Sequence, residues 1–390
     1  MYLEVKKILN IILALCVSTL ASGRTYWCSP QGTMDGTSYM QAGSFTALVS
    51  GLAPGDTLFM RGGQYDSDSQ ININCCGTQD RRIVIMNCPG ESPVLDFRCQ
   101  PYGKRGLVIP KGADWLHLCG ITIRYAGKNG VHNSGSNNIF EMLNVYGNGD
   151  SGIQMKAGGN NLILNCDSHD NFDYRLQNDF GGNADGFADK QYTGNGNVYI
   201  GCRSWNNSDD GWDFYQRISL PGTETVLIGC ICYRNGPLEY DMRSHARYET
   251  DREWFDSFIN GRSVTFRNST TRTVTLEHYF NNGNRNGFKL GGDRTENNVR
   301  LVQCFAIANL SKGFDQNSNA GNMTLIGCSA YANAWDFGFY GKELGSLTIT
   351  DCVSIDGNLD TTLVLSPRLP DGSLPTTDFF TYPAAAIESK

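Results

Sequence analysis

The sequence predicts an all-β solenoid, a parallel β-helix with a helical cap at its N-terminal end and one long loop inserted into a coil. Three observations carry this. The 390 residues include 45 glycines and 11% aromatics, with few apolar runs at helical spacing. A Gly-apolar pair recurs through most of the chain. A second column, mostly cysteine, recurs in parallel with it. Two ordinary domains would be the prior from length alone, but a repeat protein can be long and remain one domain.

The N-terminal residues come first. Lys6 and Lys7 precede the apolar run Ile8–Val17, and Ala21-Ser22-Gly23 follows as a cleavage site of small residues. Residues 1–23 therefore read as an export signal. The run is too short to span a bilayer, and no later segment is apolar enough to do so. The expected compartment is periplasmic, cell-surface or secreted. Fourteen cysteines in such a chain raise the question of disulfides. Cys28, Cys75, Cys76, Cys88 and Cys99 are open to pairing, with no connectivity readable. The absence of Cys-x-x-Cys and the scatter of the five histidines argue against zinc.

Residues 24–104 read as the cap and the first coils. Phe45, Leu48, Val49 and Leu52 fall at i, i+3, i+4 and i+7, a short amphipathic helix. Pro54-Gly55-Asp56 ends it and Thr57-Leu58-Phe59-Met60 follows as a strand. Terminal units of a solenoid need such a shield over the core end.

Residues 105–358 carry the repeat. The pairs are Gly106-Leu107, Gly130-Val131, Gly152-Ile153, Gly186-Phe187, Gly211-Trp212, Gly287-Phe288, Gly313-Phe314 and Gly338-Phe339, mostly 22 to 26 residues apart. The exceptions are steps of 34 before Gly186 and 76 before Gly287. The second column is Cys119, Leu143, Cys166, Cys202, Cys230, Cys304, Cys328 and Cys352. Five residues beyond its members stand Asn148, Asn171, Asn207, Asn235, Asn309 and Asn333. Coils of this length contain about three short strands each, stacked at roughly 4.8 Å. The cysteines then read as an inward stack, since free Cys behaves as a small apolar residue. The asparagines read as a ladder at a turn. The 76-residue step implies an insertion over about 236–282, rich in charge and aromatics, and a long insertion on one solenoid face can form a binding wall. Residues 359–390 lose the period and read as a C-terminal tail.

The glycine register also gathers chemistry. Asp185 and Asp210 each precede a repeat glycine, Asp209 is adjacent, and Asp213 and Lys289 each lie two residues after one. Gln154, Ala188 and Asp315 occupy that last position on other coils, so the fold does not require charge there. Four neighbouring carboxylates repel one another unless neutralised. A hard cation such as calcium, with six to eight oxygen ligands, would do so; turn-forming Asp and Asn is the alternative. The net charge of −7 and the lack of a basic stripe argue against nucleic acid.

The segments Asn183-Ala184-Asp185-Gly186, Asn207-Ser208-Asp209-Asp210-Gly211-Trp212-Asp213 and Gly287-Phe288-Lys289-Leu290-Gly291-Gly292 together resemble the signature of the family 9 polysaccharide lyases, the pectate lyases and rhamnogalacturonan lyases. The resemblance spans about residues 130–355. It implies a right-handed β-helix, calcium (Ca2+) held by Asp185, Asp209, Asp210 and Asp213, and Lys289 as the base of a β-elimination on an acidic pectic polysaccharide. Arg217, Arg243 and Arg247 are candidates for pairing with uronate carboxylates, and Tyr215 and Trp254 for stacking on sugars. A monomer is expected. Two other classes stand beside this reading. A hydrolase of the polygalacturonase type would use paired carboxylates and water, but its Gly-His-Gly and Arg-x-Lys motifs are absent. A non-catalytic carbohydrate-binding β-helix would bind sugar and release no product.

Overall fold

The computed structural model describes residues 23–381, apart from 176–179, 193, 195, 238, 260, 266–270, 340–344, 356, 358, 360–362 and 376–378. The expected export signal over 1–23, apart from its last residue, and the last residues of the tail lie outside the described residues. Each coil contributes one strand to each of three sheets, of eleven, ten and nine strands. Pairing within the three sheets is parallel throughout, as between Val131–Asn133 and Ile153–Met155. The short helix Phe45–Val49 buries Phe45 and Val49 against the first strands.

The strands are only two to nine residues long, so register comes from the turns. One turn is fixed by the asparagine ladder. The Asn148 amide donates to Asn171 Oδ1 at 2.9 Å, and the same bond repeats from Asn171 to Asn207 (2.7 Å), then to Asn235, Asn309 and Asn333 (each 2.9 Å). Each Oδ1 also accepts the backbone N–H of the preceding rung. The repeat glycines follow this turn. A Cβ on Gly186 would sit 2.0 Å from Ser204 Oγ and 2.9 Å from the carbonyl oxygen of Gly211, and one on Gly211 2.6 Å from that of Gly287. Only glycine lets adjacent coils approach this closely. The apolar residue after each repeat glycine from Gly106 to Gly313 points inward, but Gly338 lies opposite Asp315, so Phe337 and not Phe339 continues the row beyond Phe314. Phe187, Trp212, Phe288, Phe314 and Phe337 stack there with centroids 4.4, 5.1, 5.0 and 5.2 Å apart.

The cysteine column needs one correction. Cys166, Cys202, Cys230, Cys304 and Cys328 do form an inward stack, each buried. Cys119 does not belong to it. It pairs in register with Glu141, on the outer face, beside His117. Ile121 occupies the inward position instead. The reason is visible in the bend before each column member, where a left-handed residue turns the chain: Gly120, Met142, Asn165, Gly201 and Gly229. Gly120-Ile121 matches Gly201-Cys202. All thirteen described cysteines are free thiols, so the disulfides held open for Cys28, Cys75, Cys76, Cys88 and Cys99 are not formed.

Two loops leave the coil from the asparagine turn. The shorter follows Asn171 and accounts for the 34-residue step. The longer lies between Asn235 and the strand Phe288–Lys289 and contains the hairpin Arg262–Thr265 with Thr271–Val274. They share a small core of Phe172, Tyr174, Phe180, Met242, Phe255, Val274 and Tyr279. The tail covers part of the ten-stranded sheet, where Arg368 Nη2 meets Asp167 Oδ1 at 2.6 Å.

Asn309→Ala removes the acceptor for the Asn235 amide and backbone N–H and the donor to Asn333. Unpaired buried amides cost about 1–3 kcal/mol each, so a loss of about 2–4 kcal/mol is expected in denaturant unfolding. A loss under about 0.5 kcal/mol would mean the ladder contributes little.

Candidate active site

The outer row of the nine-stranded sheet runs His132, Gln154, Ala188, Asp213, Lys289, Asp315 in strict register. Asp213 and Lys289 are therefore cross-strand neighbours. Lys289 Nζ lies 3.3 Å from Asp213 Oδ1 and 3.3 Å from Asp210 Oδ2. Asp185, Asp209 and Asp210 come from the turns leading into adjacent strands, and one carboxylate oxygen from each lies within 4.8 Å of the others. The structure thus brings Asp185, Asp209, Asp210, Asp213 and Lys289 together. All five residues are at most 7% exposed.

Lys190 also belongs to the cluster, and sequence reasoning missed it. Its Nζ donates to Asp185 Oδ2 at 2.6 Å and to Asp213 Oδ2 at 3.0 Å. Ser151 Oγ adds 2.9 Å to the same Asp185 oxygen. Asp209 accepts the backbone N–H groups of Asn183 (2.8 Å) and Asn284. Asn286 gives its backbone N–H and its amide to Asp210 Oδ1, each at 2.9 Å. The other Asp210 oxygen is buried and makes no hydrogen bond, with only the Lys289 ammonium 3.3 Å away as an ion-pair partner.

The electrostatics follow from this inventory. Burial disfavours charge on Asp185, and repulsion from Asp213, Asp209 and Asp210 adds to it, so despite Lys190 its pKa stands well above the usual carboxylate range. Burial together with Asp209 and Asp213 pushes Asp210 to about 7. Asp213 resists burial because Lys289 and Lys190 flank it, and its pKa is lowered. Burial would discharge Lys289, but Asp213 and Asp210 outweigh it and raise its pKa. Four carboxylates facing two ammonium groups leave two negative charges without a partner. That charge, the all-oxygen donor set and the unsatisfied Asp210 oxygen fit one divalent cation of the calcium type.

Lys289 opens onto a cleft of about 460 Å³ lined also by Tyr215, Asn284, Gly292, Asp293, Arg294, Asn317 and Ser318. A polar cleft with the cluster at its floor is the expected form of an active site. Tyr215 lines it, its hydroxyl donating to Asp293. Arg294 is a second group that sequence reasoning missed; it sits on the loop after Gly291-Gly292. Arg217 is exposed and lies on the same sheet face, beyond Gln191.

A family model described as "Pel9A-like, right handed beta helix region" matches residues 26–252 and 244–350. The chain belongs to this family. The hand of the coil is therefore right-handed, and the chain is a polysaccharide lyase. Pectate lyase L of Dickeya chrysanthemi is 29% identical over 95% of this chain and 87% of its own length. Pectate lyase L of Paenibacillus polymyxa (strain SC2) is 32% identical over 82% of this chain and 65% of its own. The crystal structure of pectate lyase Pel9A superposes with a TM-score of 0.72 at 27% identity, covering 94% of this chain and 91% of that one. A rhamnogalacturonan lyase structure shares the fold at 19% identity and a TM-score of 0.65, over 94% of this chain and 98% of that one.

Three sequence-derived candidates are placed elsewhere. Arg247 is 0% exposed. Its guanidinium donates to the carbonyls of Gln100 (2.6 Å), Tyr125 (2.9 Å) and Phe97 (3.2 Å) and to Tyr174 Oη (2.8 Å), clamping the long insertion onto the early coils. It has no face left for a substrate. Arg243 is exposed within the insertion with its fork on Asp241 and Glu277, away from the cleft lining. Trp254 packs edge-on against Tyr174 and Phe255 under Arg175.

A carboxyl group whose pKa is higher folded than unfolded stabilises the protein below its unfolded pKa, and that stability is lost as pH rises through the folded value. For Asp210 the window runs from about 3.9 to about 7. Chelator-treated protein should lose thermal stability as pH rises across this window, and a divalent cation should restore it at pH 7. A flat or rising melting temperature in chelator would contradict the buried-charge argument.

Proposed function

We propose that this lyase cleaves the galacturonate backbone of pectate by β-elimination, with Lys289 as the base and calcium as the cofactor. The observation that carries the reading is the position of Lys289, buried against Asp210 and Asp213 at the floor of a polar cleft. The pectate lyase relatives support the polymer.

Asp185, Asp209, Asp210 and Asp213 would hold the ion. Bound there, calcium neutralises a uronate carboxylate, which acidifies the adjacent C5–H, and offsets the aspartate charge that keeps Lys289 protonated. Lys289, as the neutral amine, takes the C5 proton. The electrons of that C–H bond become the C4–C5 double bond, and the bond from C4 to the glycosidic oxygen breaks. The leaving oxygen takes a proton from water, and Lys289 returns its own to solvent through the cleft. Lys190 shares Asp185 and Asp213, which fixes both carboxylates in place. Tyr215 and Arg294 flank the space above Lys289, where the sugar ring would lie. Export to where pectin is found is part of the same reading, through the signal at 1–23.

Lys289→Ala should lower kcat by about 10²–10⁴-fold, the usual share of a positioned base, measured with calcium present and at a temperature where circular dichroism shows the variant folded. The readout is ultraviolet absorbance of the unsaturated uronate end. Wild-type turnover in the variant would remove Lys289 from the mechanism. Because an amine must be deprotonated to act, wild-type activity should climb as pH rises into the alkaline range, and chelator should abolish it. New reducing ends without that absorbance would indicate a hydrolase, and neither signal would leave a binding protein.

A further inference from the structure

Several coils from Lys289, at the outer face of the same sheet, Lys156 and Arg105 stand without a carboxylate partner among the described residues, and Arg217 reaches toward them from the coil next to Lys289. Lys156 follows the strand Ile153–Met155 directly and lies beside Lys190. Its ammonium donates to the neutral Gln191 side chain and sits 5.0 Å over the Tyr192 ring. The Arg105 guanidinium meets the neutral Asn129 side chain at 3.3 Å. Arg217 is tied in by its backbone N–H to Gln191 O at 3.0 Å. Among the described residues none of the three has a carboxylate partner. They are close enough to act on one another: burial, Arg217, Arg105 and Lys190 all push the Lys156 pKa down. The nearby carboxylate Asp150 is already held by Lys128 at 2.8 Å and the Asn129 amide at 2.9 Å.

Between these cations lies His132. It is 8% exposed, and its Nδ1 is buried with no hydrogen-bond partner. It occupies the same outer row as Lys289, four strand steps away, or roughly 19 Å at about 4.8 Å per step. Arg105 adjoins a strand one step further still. In a chain of net charge −7, mutually repelling cations beside an unsatisfied buried imidazole are costly unless an anion joins them.

We propose that Arg105 and Lys156 form a distal subsite that binds carboxylates of uronate residues several sugars from the scissile bond. This rests on the reading of the substrate as a polyuronate. It makes the strip a reader of chain length, used by long chains and out of reach of short ones.

The test compares kcat/KM on polygalacturonate and on trigalacturonate for wild type, Arg105→Ala/Lys156→Ala and Lys156→Arg. A charge-assisted contact is worth about 1.5–3 kcal/mol, so the double variant should lose about tenfold or more on the polymer relative to the trimer. The Arg variant should keep most of the ratio. Arg300→Ala, which removes a charge paired with Glu224 on another sheet, serves as the control and should not move the ratio. An unchanged ratio in the double variant would overturn the strip. A parallel arm measures polygalacturonate binding by calorimetry in the Lys289→Ala background at two salt concentrations. The double substitution should weaken binding and flatten its salt dependence, and equal affinity would again overturn the proposal. If wild type bound polygalacturonate in this salt-dependent way yet formed no unsaturated ends, the reaction would be wrong while the strip stood.

Discussion

Parallel stacking brings like registers together at every coil, and at Asp185, Asp209, Asp210 and Asp213 it does so with four carboxylates. Lys190 and Lys289 answer half of that charge. The remaining imbalance is buried, so water cannot screen it. The close approach of coils at Gly186 and Gly211 and the backbone donors fixed by Asn284 and Asn286 both serve to hold this repelling set in place. The same field keeps the Lys289 ammonium charged. Acid cluster and base are therefore one electrostatic unit, and the pKa of each depends on what else enters it.

The residues that could be read from sequence were those on the repeat. Asp210, Asp213 and Lys289 sit at fixed offsets from a glycine, and the glycine marks the coil. Register then converts sequence spacing into spatial contact without any knowledge of side-chain directions. Lys190 lies just past its strand, where no repeat position is charged as a rule, and only its alignment with Lys156 on the preceding coil could have drawn notice. Cys119 was misplaced because residue type was followed instead of the bend. Gly120, Gly201 and Gly229 turn the chain at equivalent points, and the inward residue is whichever follows the bend.

Arg247 shows a different limit. The insertion obeys no period, so nothing in its sequence says which arginine turns outward. Burial decided it: the two Nη groups of Arg247 cap carbonyls at the edge of earlier coils while its Nε meets Tyr174 and Asp251, a role that needs a fixed planar fork. Arg243, four residues earlier, stays on the surface with acidic partners. Two arginines alike in sequence context thus have opposite environments, set by a small core that the loop after Asn171 and the longer insertion build together.

Both loops depart immediately beyond a rung of the asparagine ladder. Each rung closes its coil by bonding to the rungs before and after it, so the coil is complete before the chain wanders off and again after it returns. The entropy of closing a longer excursion grows only with the logarithm of its length, by about 0.6 kcal/mol for each doubling. The scaffold is therefore nearly indifferent to how much chain is spliced in at these two points. Diversity can accumulate beside the catalytic floor while the floor itself stays still, which makes the ladder a boundary between the part of the molecule free to vary and the part that is not.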